Sequence, residues 1–71
     1  MTKLRLTSLL KRIRLDAALT QAALSERLGQ TQSYVSKYES GEQRLDLVEI
    51  EEICKAVGIT LRDFVDRYLV S

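Results

Sequence analysis

Gln32, Ser33, Ser36, Lys37 and Ser40 are the side chains whose types and spacing most suggest chemistry. Wound at about 100° per residue they share one helical face, while Val35, Tyr38 and Tyr34 share the opposite one. The polar face offers hydroxyls, one amide and one ammonium, and no carboxylate. Such groups donate hydrogen bonds, which suits nucleic-acid base edges and phosphates, both rich in acceptors. Glu39 lies on the border toward the apolar side.

Counting excludes other chemistries. Histidine is absent, so no triad can use it as a base. Cys54 is the single cysteine, so there is no internal disulfide, and a zinc site lacks ligands. No metal and no other cofactor is expected. A lone helical domain of this size leaves little room for a catalytic pocket of about 300 Å³ or more, so no enzyme is expected. Cys54 falls on an apolar face and reads as a core thiol.

The elements that must position the polar face follow from composition and period. The chain has 71 residues, 45% hydrophobic and 30% charged, which suits one globular domain spanning residues 1–71. Proline is absent and there are only three glycines, so helices are permitted throughout. Leu6, Leu9, Leu10, Ile13 and Ala17 follow the spacing of one helical face. Leu47, Ile50, Ile53, Cys54 and Val57 do the same, as do Leu61, Phe64, Val65, Tyr68 and Leu69. Two shorter segments lie between. The reading is all-α, with helices at about residues 5–17, 21–28, 32–39, 47–57 and 61–69.

Start and stop signals agree with these segments. Thr20, Thr31, Asp46 and Thr60 are the expected N-caps, and Gly29, Gly41 and Gly58 follow helix ends. Asp46 with Glu49, and Thr60 with Asp63, are spaced as capping boxes. Leu19 with Leu24, Leu45 with Ile50, and Ile59 with Phe64 are spaced as hydrophobic staples. The third helix would pair Gln30 with Val35, which is no staple. Its first turn is polar and free to face a partner. The second and third segments, joined at Gly29, read as a helix-turn-helix, with small Ala22 and Ser25 allowing close approach.

Formal net charge is only +1, but it is unevenly placed. Up to Arg44 there are eight bases and four acids; from Leu45 on there are three bases and six acids. The first part can attract a polyanion while the second faces away from it. No apolar run approaches the ~18 residues of a membrane span, and the N-terminus lacks the apolar core of a signal peptide. A cytoplasmic location and no membrane partner are expected.

Leu19-Thr20-Gln21, Leu24, Leu28-Gly29, Val35-Ser36-Lys37-Tyr38-Glu39-Ser40-Gly41 and Ala56-Val57-Gly58-Ile59 together resemble the Cro/repressor-type, or XRE-like, helix-turn-helix family. The likeness runs from about Leu6 to Phe64. It implies a compact five-helix, lambda-repressor-like domain that binds double-stranded operator DNA as a homodimer, with helix three in the major groove. Carried over by position, Thr31, Gln32, Ser33 and Lys37 match base contacts, and Ser36 joins them at the groove wall. Gln21, Tyr34, Ser40 and Arg44 match backbone contacts. Arg14 and Glu39 match an ion pair tying helix one to helix three. Gln32 suits adenine and Lys37 suits guanine. Relatives often carry glycine where Ala18 stands and alanine where Ser25 stands. Ala18 forced into a left-handed conformation would cost about 1 kcal/mol.

Phe64, Tyr68 and Leu69 form a broad apolar face on helix five, expected as core or as the seam between two copies. The leading expectation is a transcriptional regulator, such as a repressor, on a two-fold symmetric operator. The alternative is an antitoxin or other protein-interaction module on the same fold, with DNA binding secondary.

Overall fold

A computed structural model describes the chain from residue 2 to residue 71. The described residues form five helices: α1 (Thr2–Asp16), α2 (Gln21–Arg27), α3 (Tyr34–Glu39), α4 (Leu47–Val57) and α5 (Leu61–Val70). They pack around one core with a radius of gyration of 11.0 Å, the value of about 11 Å expected for a compact chain of this length. Leu9, Leu10 and Ile13 of α1 meet Leu24 of α2, Val35 and Tyr38 of α3, Ile50, Ile53 and Cys54 of α4, and Phe64 of α5. Cys54 is fully buried, and that burial pushes its thiol pKa up, so it is a packing residue. Among the described residues no helix is long and apolar enough to cross a membrane.

Local chemistry fixes most helix starts. Thr20 accepts from the Ala23 amide at 3.0 Å. Asp46 and Glu49 close a capping box at 2.8 Å in both directions. Thr60 and Asp63 close a second. The staple partners Leu19, Leu45 and Ile59 are half-buried against the same core that holds Leu24, Ile50 and Phe64.

α3 departs from expectation. It begins at Tyr34, two residues later than its periodicity predicts, because residues 32 and 33 form a turn. Thr31 is not its cap. Ser33 occupies that position in a helical conformation (φ −86°, ψ −4°) and makes no capping bond of its own.

The helix ends share one device. After α1, the Leu19 amide reaches back to the Arg14 carbonyl and the Ala18 amide to that of Leu15. The same paired bonds close α2 through Gln30 and Gly29, α3 through Glu42 and Gly41, and α4 through Ile59 and Gly58. The motif needs a left-handed residue at its pivot. Three pivots are glycine, and the fourth is Ala18, at φ 58°.

That exception is measurable. Ala18→Gly should raise stability by about 0.5 kcal/mol, the relief of left-handed strain minus the greater freedom of glycine in the unfolded chain. Gly29 has φ +67°, and a Cβ there would meet nothing within 4 Å. Gly29→Ala should therefore cost about 1 kcal/mol from backbone strain alone. Thermal unfolding of both variants checks this; equal shifts of one sign would contradict it.

Candidate nucleic-acid interface

α3 has six residues, too few to hold a helix without tertiary ties. Its C-terminal end is tied by Glu39. The Arg14 guanidinium donates to both carboxylate oxygens, Nε to Oε2 at 2.7 Å and Nη2 to Oε1 at 3.1 Å. The two side chains are only 7% and 4% exposed. Arg14 Nη1 also donates to the Leu19 carbonyl at 2.8 Å, and Gln21 Nε2 donates to Glu39 Oε1 at 3.1 Å. One buried cluster thus joins the end of α1, the start of α2 and the end of α3. A buried charge pair persists only when such extra bonds complete it.

The N-terminal end of α3 is tied by Ser25 of α2. Ser25 is fully buried. Its Oγ accepts from the Val35 amide at 3.2 Å, and its hydroxyl points at the Gln32 carbonyl 3.4 Å away. A side chain ten residues upstream supplies what Thr31 and Ser33 do not. Sequence reasoning treated Ser25 only as a small residue allowing close approach. The available signal was the polar, staple-free start of α3, which needed some other anchor.

With both ends held, Thr31, Gln32, Ser33, Ser36 and Lys37 stand exposed together along the turn and outer face of α3. Val35 and Tyr38 face the core. No carboxylate of α3 is free on the exposed face, because Glu39 turns inward to Arg14. Arg44, exposed beyond the helix, forms no ion pair among the described residues.

Five expected positions sit differently. Tyr34 is 9% exposed and packs edge-on against Tyr38, with ring centroids 5.5 Å apart. Burial, then the charges of Glu49, Glu52 and Asp46, push its phenol pKa up. Tyr34 therefore packs with the core, beside those carboxylates. Ser40 is exposed, but its Oγ lies 2.9 Å from Glu42 Oε2 and 3.0 Å from the Lys37 carbonyl. Its one proton is already committed locally. Gln21 has given one amide proton to Glu39 and keeps a second. Phe64 is buried in this chain's own core, whereas Leu69 of the same helix is 70% exposed. Tyr68 is half-buried beneath Arg5, whose guanidinium lies 4.5 Å above its ring. Only Leu69 of the three expected seam residues is free to meet a second copy.

Among the described residues no group of three or more His, Cys, Asp and Glu side chains could hold a metal ion. The arrangement is built to present donors on a fixed helix.

This geometry is that of a helix-turn-helix domain, and comparison with known proteins agrees. The helix-turn-helix family model HTH_3 matches residues 10–64. An "XRE-family like protein from Pseudomonas syringae pv. tomato str. DC3000" has a similar solved structure, with 35% sequence identity and a TM-score of 0.88. The alignment covers 97% of this chain and 84% of that one. No curated protein matches the chain. The chain belongs to the XRE-type helix-turn-helix family, a family of DNA-binding regulators.

Ser25→Ala tests the cross-helix cap. It leaves the Val35 amide buried and unpaired, so it should cost about 1–3 kcal/mol in chemical unfolding. A cost within experimental error would contradict the assigned bond.

Proposed function

We propose that this chain is a sequence-specific transcriptional regulator that binds a two-fold symmetric operator as a homodimer. The observation that carries the reading is the exposed face that Thr31, Gln32 and Ser33 of the turn share with Ser36 and Lys37 of α3, a helix fixed at both ends. Discrimination between bases needs donors held in place, because a bidentate contact is worth its 1–3 kcal/mol only at the correct geometry. In this reading Gln32 pairs with an adenine and Lys37 with a guanine, while Thr31, Ser33 and Ser36 line the groove. Arg44 and the remaining amide proton of Gln21 contact phosphates.

The homodimer rests on size and on apolar surface. The molecule measures 30 × 24 × 21 Å. Two copies side by side therefore suit half-sites one helical turn apart, about 34 Å. Val65, Leu69 and Val70 leave apolar surface on α5 uncovered, and we assign the seam to them. Where the operator overlaps a promoter, the bound dimer represses; the position of the operator decides the sign.

Two substitutions separate readout from attraction. Gln32→Ala should cost about 1–3 kcal/mol on the preferred duplex and relax preference at one base pair. Arg44→Ala should weaken all duplexes alike and make the salt dependence shallower by about one unit of slope. Fluorescence anisotropy on the preferred and a scrambled duplex measures both. Equal losses on every sequence for both variants would sink the readout assignment.

A further inference from the structure

Six large apolar side chains stand exposed among the described residues. Val65, Leu69 and Val70 belong to α5 and to the proposed seam. The other three lie elsewhere: Leu47 and Val48 on α4, 64% and 65% exposed, and Leu15 on α1, 45% exposed. Scattered apolar residues are ordinary on a surface, but these three stand in matching charged settings.

The helical period puts Glu51, Glu52 and Lys55 on the same outward face of α4 as Leu47 and Val48, and all five are exposed. On α1 it puts Ser8, Lys11 and Arg12 with Leu15, again all exposed. Glu51, Glu52 and Lys11 form no ion pair among the described residues. Arg12 pairs with Asp16 at the edge of its face, but both side chains are open to solvent, where such a pair is weak. Asp16 also accepts from Arg67 at 3.0 Å, so its carboxylate keeps a partner when Arg12 turns outward.

The two faces share one layout with opposite charge. On α4 the apolar pair Leu47 and Val48 comes one helical turn before the acidic pair Glu51 and Glu52. On α1 the basic pair Lys11 and Arg12 comes one turn before Leu15. Laid antiparallel, the faces bring Leu15 onto Leu47 and Val48 while the bases meet the acids, since apolar and charged groups are about 5–6 Å apart along each axis. Neither face suits itself. A two-fold contact of α4 on α4 opposes carboxylates, and one of α1 on α1 opposes bases.

We infer that the outer face of α1 in one copy docks antiparallel on the outer face of α4 in a second copy. The contact is heterologous, so it continues from copy to copy and does not close on itself. On the DNA-binding reading above, it links dimers on neighbouring operators and makes their occupancy cooperative.

Sedimentation velocity of the full chain, at about 0.05 M salt where exposed charges are little screened, tests the contact. No DNA is present, so the result is independent of the DNA-binding reading. The mass should climb past two chains as concentration rises. Glu51→Lys with Glu52→Lys should weaken that growth at least about tenfold, and so should Lys11→Glu with Arg12→Glu. The chain with all four changes exchanges two bases for acids and two acids for bases, so its net charge stays +1. It should grow as the unchanged chain does. All four sites are exposed, so each variant should still melt as a folded domain. Leu15→Ser is a further, uncharged change with the same expected loss. Leu69→Ser, which opens the α5 seam, should leave the charge-dependent growth in place. A ceiling of two chains that Leu69→Ser lowers to one overturns the contact and leaves the seam standing. Growth that is indifferent to the reversals, or that the fourfold change does not restore, overturns it as well.

Discussion

The buried pair of Arg14 and Glu39 is the constraint on which the rest of the structure depends. Two charges at 2.7 Å with almost no solvent access must satisfy each other, because neither can turn to water. Removing one partner leaves the other buried and uncompensated, at a cost of about 3–5 kcal/mol. That is a large part of the about 5–10 kcal/mol that holds a small domain together. The pair sets the distance between the end of α1 and the end of α3. Gln21 adds the start of α2 to the same carboxylate. A six-residue helix with little intrinsic stability is thereby held in one place.

Much of the fold was legible because its signals are local. Thr20, Asp46 and Thr60 cap helices by bonding amides three residues on, so spacing alone exposes them. Gly29, Gly41 and Gly58 mark left-handed turns that few other residues tolerate. Ala18 hid the same turn because alanine carries no such mark, and only the resemblance to glycine-bearing relatives pointed to it. The start of α3 was misread because its anchor, Ser25, lies ten residues upstream and acts through space.

The candidate interface was legible to the same limit. A helical wheel separated Gln32, Ser36 and Lys37 from Val35 and Tyr38 correctly, since that division depends only on the helical period. It put Tyr34 on the apolar side as well, where the structure buries it with Glu49 and Glu52 near; the backbone contact expected of Tyr34 came from the resemblance alone. Periodicity could not divide α5, where Phe64 faces the chain's own core and Leu69 faces away. Spacing marks an apolar stripe, and only tertiary packing decides how much of it is covered. The charge asymmetry is carried by α1, which holds five of the eight bases up to Arg44, and by the acids that predominate in the part holding α4 and α5.

The central claim is that α3 reads sequence, in two copies related by symmetry. Selection from a random duplex library at ~150 mM salt, with the bound fraction sequenced, tests it most directly, since sequence-independent attraction is weak at that ionic strength. The predicted result is one enriched motif with two-fold symmetry and half-sites about one helical turn apart. Recovery of no motif, with binding that disappears as salt rises, would contradict it.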